Sequence, residues 1–323
     1  MSNEVTPILE TRNLKKYFKV GKDRLLHAVD DVNLKIMSGQ TLGVVGESGC
    51  GKSTLGRTIL RLLEPTGGEI LYNGHNIEKL SASKMREYRK DMQIIFQDPY
   101  SSLNPRKSVY EAIAMPLRVN NYGSKAEIDK RTRELMDRVG LAARLADAYP
   151  HELDGGRRQR ICVARALALD PKFIVCDEPV SAMDVSIQAQ ILNLLMDLQD
   201  DMDLTYMFIT HDLSVVKHIS NEIMVMYLGK CVERTSSREM FANPRHPYTK
   251  ALLSAIPIPD ISSRSKKLIP IKGEVTSPVN PKPGCRFADR CDYCTQKCHE
   301  VDPELREVSP GHLVACHRLE EIE

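Results

Sequence analysis

The sequence predicts an α/β protein: a largely parallel sheet with helices between its strands, a helical insertion, and a loop-rich C-terminal tail. Three observations carry this. A glycine-rich run, Gly46-Glu47-Ser48-Gly49-Cys50-Gly51-Lys52-Ser53, follows directly on the apolar residues 41–45 and opens a helical pattern. Strand-like apolar runs recur at 172–176, 205–209 and 222–227, with helical patterns between them. From residue 257 the composition turns to Pro, Ser, Lys and Cys, with prolines at 257, 259, 270, 278, 281 and 283.

Taken in order, residues 8–45 read as short apolar runs broken at Gly21 and at Ser38-Gly39. The helix after the glycine-rich loop starts at Lys52 and carries Leu55, Ile59, Leu62 and Leu63 on one face, with Pro65 and Gly67-Gly68 as its stop. Residues 104–170 are mostly helical in pattern, with charge on one side of 125–138, so a helical insertion is placed at about 98–165. No internal repeat interrupts this order. The boundary falls near residue 256, giving a domain over 1–256 and a tail over 257–323.

Composition narrows the class. Lys plus Arg number 45 against 43 Asp plus Glu, and a net charge of +2 supplies no field that would draw the chain to nucleic acid. No stretch reaches eighteen apolar residues, and residues 1–9 lack a basic region followed by an apolar one. The expectation is therefore a soluble chain that stays in the cytoplasm. Of 9 cysteines, Cys50, Cys162, Cys176 and Cys231 are scattered singly, which suits a reducing compartment.

The glycine-rich run fits GxxxxGKS: glycines turn backbone N–H groups inward on phosphates, the helix start adds its positive end, and Lys52 reaches the terminal phosphates. Ser53 is the expected Mg²⁺ ligand. The run Phe173-Ile174-Val175-Cys176-Asp177-Glu178 ends a buried strand in two carboxylates, the first suited to the Mg²⁺ shell and the second to polarise an attacking water. In the tail, Cys285, Cys291, Cys298 and Cys316 look like a metal site, with 5, 6 and 17 residues between them. Structural zinc on Cys291, Cys294, Cys298 and Cys316, or thiols without metal, stay open as alternatives.

With these motifs in this order the chain resembles the ATP-binding cassette (ABC) family over residues 8–256. The resemblance implies a P-loop NTPase fold in which 46–54, ending in Thr54, cradles ATP, and Gln97 senses Mg²⁺ and water and relays to membrane subunits. It implies that Asp184 crosses a dimer interface, that His211 contacts the γ-phosphate, and that Phe18, with Tyr17 as rival, stacks on adenine. The signature segment departs from the family: Leu153-Asp154-Gly155-Gly156-Arg157 stands where Leu-Ser-Gly-Gly-Gln is usual. In the family the signature of one cassette faces the ATP of the other, so Asp154 places a carboxylate against phosphate. Asp caps a helix as well as Ser does, and Arg157 one turn on can pair with it. The site lent this signature is expected to be impaired, which favours a heterodimer with an unlike ATPase subunit.

Two stretches, Gln97-Asp98-Pro99-Tyr100-Ser101-Ser102-Leu103-Asn104-Pro105-Arg106 and Asn243-Pro244-Arg245-His246-Pro247-Tyr248-Thr249-Lys250-Ala251-Leu252-Leu253, resemble the ATPases of oligopeptide and dipeptide importers, and residues 45–57 resemble the second of their two ATPase subunits. That branch implies two membrane permeases and an extracytoplasmic binding protein as partners, at the cytoplasmic face of the membrane. Some members hold a four-iron four-sulfur cluster on cysteines like Cys285, Cys291, Cys298 and Cys316, four thiolates being the set that cluster takes. Cys294 is then spare, and His299 or His317 orients backbone. The rival readings are an importer of nickel or another small solute, a regulatory cassette with an impaired ATP site, and a soluble cassette acting on DNA or ribosomes.

Overall fold

The computed structural model describes residues 6–181, 183–256, 270–274 and 276–322. Ala182 of the 181–184 segment and residues 257–269, where the tail was expected to begin, lie outside the described residues. The first half of the chain forms β1 (Leu9–Gly21), β2 (Arg24–Ile36), β3 (Thr41–Val45), α1 (Lys52–Ile59), β4 (Gly67–Tyr72), β5 (His75–Asn76), α2 (Ala82–Asp91), β6 (Met92–Ile95), α3 (Pro99–Ser102), α4 (Val109–Val119), α5 (Lys125–Arg138) and α6 (Gly155–Ala166). The second half forms β7 (Phe173–Asp177), α7 (Val185–Met202), β8 (Thr205–Ile209), α8 (Leu213–Ile219), β9 (Glu222–Tyr227), β10 (Lys230–Ser236), α9 (Ser237–Ala242), α10 (Pro247–Ser254), α11 (Gln296–Glu300), β11 (Arg306–Ser309) and β12 (His312–Val314). Contacts divide these into two compact units, one taking the chain up to Ile36, Thr41–Glu78 and everything from Ile209, the other Met37–Gln40 and Lys79–Phe208.

The first unit holds two sheets. One is antiparallel, in the order β2-β1-β4-β5. Along β2, Val32, Leu34 and Ile36 are buried while Asp31, Asn33 and Lys35 are exposed, the period-two pattern of a strand with one wet face. The other runs β11-β12-β10-β9-β3, parallel at β3 and β9 and antiparallel from β9 outward. The largely parallel sheet expected from the later strands does not take in β1 and β2, which pair antiparallel. Only Lys22 and Asp23 separate them, and a connection that short closes a hairpin but cannot make the crossover that parallel strands require.

A correction concerns α1, which ends at Ile59 and not at Leu63. Arg61 takes a left-handed backbone (φ 53°), and the N–H groups of Leu62 and Leu63 both turn back to the Arg57 carbonyl. The Arg61 guanidinium is itself buried, donating to the Ile77 carbonyl at 2.5 Å and to Glu64 at 3.0 Å, so a side-chain anchor overrides the apolar periodicity.

Tail residues belong to the first unit. Strand β12 pairs with β10 through Glu233 opposite Val314, and the wholly buried Glu233 carboxylate accepts from His312 Nε2 at 2.8 Å and from the N–H groups of Arg245 (2.7 Å) and His246 (2.9 Å). Those bonds outweigh the cost of burial and hold the Glu233 carboxyl below the usual carboxylate range.

In the second unit β6 and β7 pair in parallel, with β8 beside β7. The 98–165 stretch is helical as expected: α4 and α5 each open on a capping box, Ser108 with Glu111 and Ser124 with Glu127. Helix α5 buries Ile128, Thr132, Leu135 and Met136, the spacing of one helical face.

Candidate functional site

In the first unit, β3 is buried along its whole length and delivers the chain into the glycine-rich loop. Two of its glycines are sterically required. A Cβ on Gly46 would lie 2.2 Å from the Met226 carbonyl oxygen, and one on Gly51, whose φ is +105°, would lie 2.0 Å from that of Ala28. Gly49 is also left-handed, and Ser48 and Gly49 are exposed at the loop tip. No side chain caps α1 and no acid sits in its first turn, so the positive end of the helix faces the loop without competition. Lys52, only 4 % exposed, folds back to donate to the carbonyls of Gly46 (2.8 Å) and Glu47 (3.0 Å). Ser53 and Thr54 follow it on the first turn of α1. Burial pushes the Cys50 thiol up, so it stays protonated under the loop.

His211 is exposed, and its neighbour Thr210 donates N–H to the Val44 carbonyl at 3.1 Å, which fastens this segment beside the strand that leads into the glycine-rich loop. Of the aromatic candidates, Phe18 is half-buried with the Lys16 ammonium 4.9 Å from its ring centre. Tyr17 stacks on His27 at 3.8 Å and donates its hydroxyl to Asp30.

In the second unit, β7 ends in Asp177, fully buried, and Glu178, 9 % exposed. Glu178 adopts φ 48°, a left-handed conformation rare for its type, and Gln97 Nε2 donates to its Oε2 at 2.9 Å. Two residues expected to act together are therefore in contact, although they lie far apart in sequence. Asp154 caps α6 as expected: Oδ1 accepts the Arg157 N–H at 2.8 Å, and Arg157 Nη1 pairs with Oδ2 at 3.2 Å, both side chains being about half exposed. Gly155 is open to solvent, and a Cβ on Gly156 would meet Ile187 Cγ2 at 2.9 Å. Asp184 is exposed and caps α7 through the Ile187 N–H at 3.0 Å.

The tail thiols Cys285, Cys291, Cys298 and Cys316 line one small cavity with Phe287 and His246. Burial pushes Cys285 up to about 12 and Cys291 up to about 11, each further raised by the other thiols. The expectation of a formed metal site is not met. Among the described residues no group of three or more His, Cys, Asp or Glu side chains is placed to hold a metal ion. Cys294 does not line this cavity but hydrogen-bonds Cys298, and its Sγ lies 3.2 Å from His299 Nε2. His317 Nε2 lies 2.9 Å from the Val301 carbonyl oxygen.

Three contacts were not foreseen. Arg290 grips the Glu47 carboxylate with both terminal nitrogens (2.7 and 3.1 Å), Tyr248 Oη accepts the Glu47 N–H at 2.9 Å, and Arg286 pairs with Asp30 at 2.6 Å. The signal available was slight: Tyr248 stands in the quoted 243–253 stretch, and each arginine adjoins a cysteine of the quartet.

Comparison with known proteins gives two family matches, ABC transporter over residues 29–181 and Oligopeptide/dipeptide transporter, C-terminal region, over residues 232–298. The chain is 49% identical over 328 residues to the dipeptide transport ATP-binding protein DppF of Haemophilus influenzae, covering 99% of this chain and 100% of that one. It is 51% identical to the putative oligopeptide transport ATP-binding protein YkfD of Bacillus subtilis, over 96% and 95% of the two chains. Among solved structures it is similar to cbiO1 from Clostridium perfringens, part of the ABC transporter complex cbiONQ (TM-score 0.66, 29% identity, 74% of this chain and 92% of that one). A second is the ATP-binding cassette MJ0796 in a post-hydrolysis state bound to ADP and Pi (TM-score 0.65, 30% identity, 71% and 99%).

Proposed function

The chain belongs to the ABC transporter family, and from that membership we propose that it is the ATP-hydrolysing subunit of an importer of dipeptides or oligopeptides. Residues 46–54 bind the triphosphate through backbone N–H groups and Lys52, and Phe18 or Tyr17 stacks on adenine. Ser53, Gln97 and Asp177 would hold Mg²⁺, which supplies charge neutralisation on the β- and γ-phosphates. Glu178 orients and polarises the water that attacks the γ-phosphorus as its bond to ADP breaks, and His211 contacts the γ-phosphate. The observation that carries this reading is the Gln97–Glu178 contact of 2.9 Å. It ties the sensing residue to the carboxylate that acts on water.

Asp154, Gly155 and Gly156 face the ATP of a second cassette, and the exposed Asp154 carboxylate supports an unlike partner that supplies an intact signature to this chain's own site. The helical stretch 98–165 then passes movement to two permeases, at the cytoplasmic face of the membrane, with an extracytoplasmic binding protein choosing the cargo. Among the described residues no helix is long and apolar enough to cross a membrane, which accords with a subunit that docks on others.

For the tail we propose a four-iron four-sulfur cluster on Cys285, Cys291, Cys298 and Cys316. Support comes from the cavity that these four thiols line together; Cys294, which the zinc alternative uses, hydrogen-bonds Cys298, so zinc on Cys291, Cys294, Cys298 and Cys316 stays the alternative. The whole reading is tested by reconstituting the chain with its permeases in vesicles. ATP turnover is expected to rise on adding peptide-loaded binding protein, and turnover that answers to nickel and not to peptides overturns the cargo.

A further inference from the structure

We propose that Arg290, in the C-terminal tail, is a positioning residue for ATP binding that holds the phosphate-binding loop open-armed through Glu47. The inference rests on the ATP-binding role proposed for 46–54.

Glu47 is the one acidic residue of that loop, and a carboxylate there opposes a triphosphate unless it is neutralised and turned away. Arg290 does both. Its side chain is 7 % exposed, and its two terminal nitrogens form a planar fork on Oε2 (2.7 Å) and Oε1 (3.1 Å). Nη1 also donates to the Tyr227 hydroxyl at 3.2 Å, and Nε donates to the Lys272 carbonyl at 3.1 Å, so the fork has no freedom to swing. The same loop residue is held at its backbone, where the N–H donates to Tyr248 Oη at 2.9 Å and the carbonyl accepts from Lys52 Nζ at 3.0 Å.

The support behind these bonds is a packed aromatic cluster. Tyr227 meets Tyr248 edge-on at 4.7 Å and Phe287 at 5.3 Å, and Phe287 meets Tyr248 at 5.3 Å. Phe287 and Arg290 come from the tail, Tyr227 and Tyr248 from β9 and α10. A loop that is exposed at Ser48 and Gly49, and carries left-handed glycines at 49 and 51, would otherwise sample many conformations. The tail fixes Glu47, and with it the carbonyl from which Lys52 must be released when phosphate arrives. Arg290 touches no phosphate in this scheme; it acts through Glu47.

The test is a double-mutant cycle on the full chain, read by binding of a fluorescent N-methylanthraniloyl ATP with Mg²⁺. Arg290→Ala is expected to weaken binding about tenfold, within the range usual for coupled sites. KM for ATP should rise by the same factor while kcat stays within about twofold. In a Glu47→Gln background the same Arg290→Ala change should cost less than about threefold, because the group it acts on is gone. Arg290→Lys, which keeps the charge but not the fork, should give an intermediate loss and serves as the comparison if the alanine variant does not fold. Affinity unchanged in Arg290→Ala, or an equal loss with and without the Glu47 carboxylate, overturns the proposal. If the unaltered chain does not bind the nucleotide, the ATP-binding role itself fails, and that outcome is distinct from the other two.

Discussion

Replacing Asp154 by serine restores the family's usual residue at the helix start, and its effect can be worked from the geometry of the α6 terminus. In a head-to-tail pair this carboxylate would lie about 4 Å from the γ-phosphate of the facing site, a repulsion of about 4 kcal/mol at an effective dielectric near 20 and about 1 kcal/mol in full hydration. Arg157 Nη1 sits 3.2 Å from Asp154 Oδ2, about 6 Å from the same phosphate, and returns about 3 kcal/mol at the same dielectric. That attraction persists in the serine variant, so the substitution removes only the carboxylate's own repulsion; with both side chains about half exposed this lies near the hydrated limit, about 1 kcal/mol per site, and salt reduces it further. Helix stability should barely change, since Ser and Asp cap equally well and the exposed pair that is lost contributes under about 1 kcal/mol. The assay is ATP-dependent self-association of the chain, followed by sedimentation in a Glu178→Gln background that retains ATP. A homodimer has the defect at both sites, so Asp154→Ser should tighten it by about 2 kcal/mol, or about thirtyfold in dissociation constant, and less in 0.5 M salt. Arg157→Ala should loosen it. An Asp154→Ser chain that self-associates no better than the parent refutes the charge argument and the case for an unlike partner drawn from it.

Burial holds His246 down to about 4, although Glu233 pulls the other way. Because the unfolded chain takes up this proton first, near 6.5, stability is lost as pH falls from about 6.5 towards 4, by about 2 kcal/mol between pH 7.5 and 5. Since His246 Nδ1 accepts the Tyr248 N–H at 3.1 Å, His246→Asn keeps the cap and should remove that share of the acid sensitivity, read as urea midpoints at the two pH values. Gly51→Ala forces a Cβ to 2.0 Å from the Ala28 carbonyl at a left-handed φ, and should abolish detectable nucleotide binding and cost more than about 1 kcal/mol of stability. In anaerobically purified protein, Cys285→Ser should remove iron and acid-labile sulfide while Cys294→Ser leaves both; zinc without iron, or metal lost with Cys294 and kept without Cys285, ends the cluster proposal.

Much of the site was legible because its parts are local. The strand, glycine loop and helix start of 41–54 are contiguous, and steric demands at Gly46 and Gly51 are what write glycine there. The buried strand ending in Asp177 and Glu178 reads as an unbroken apolar run, and Asp154 as a cap follows from one residue type at one place. What sequence could not carry is long-range. Helix α1 stops early because a buried Arg61 finds the Ile77 carbonyl, an anchor that no periodicity records. Arg290 and Tyr248 reach Glu47 across more than two hundred residues, and nothing near either one signals an acidic partner. The quartet of tail thiols was found as a pattern, but whether Cys294 belongs to it depends on how the chain turns after Cys291, which spacing leaves open.

The central claim is that Glu178, held by Gln97, is the group that drives ATP cleavage on this chain. Single-turnover hydrolysis by the assembled complex with Glu178→Gln measures it directly. The expected result is retained ATP binding with cleavage at this chain's site slowed by about a hundredfold or more, the span usual for loss of a group that handles the water's proton. Cleavage at the parent rate with the carboxylate gone would contradict the claim.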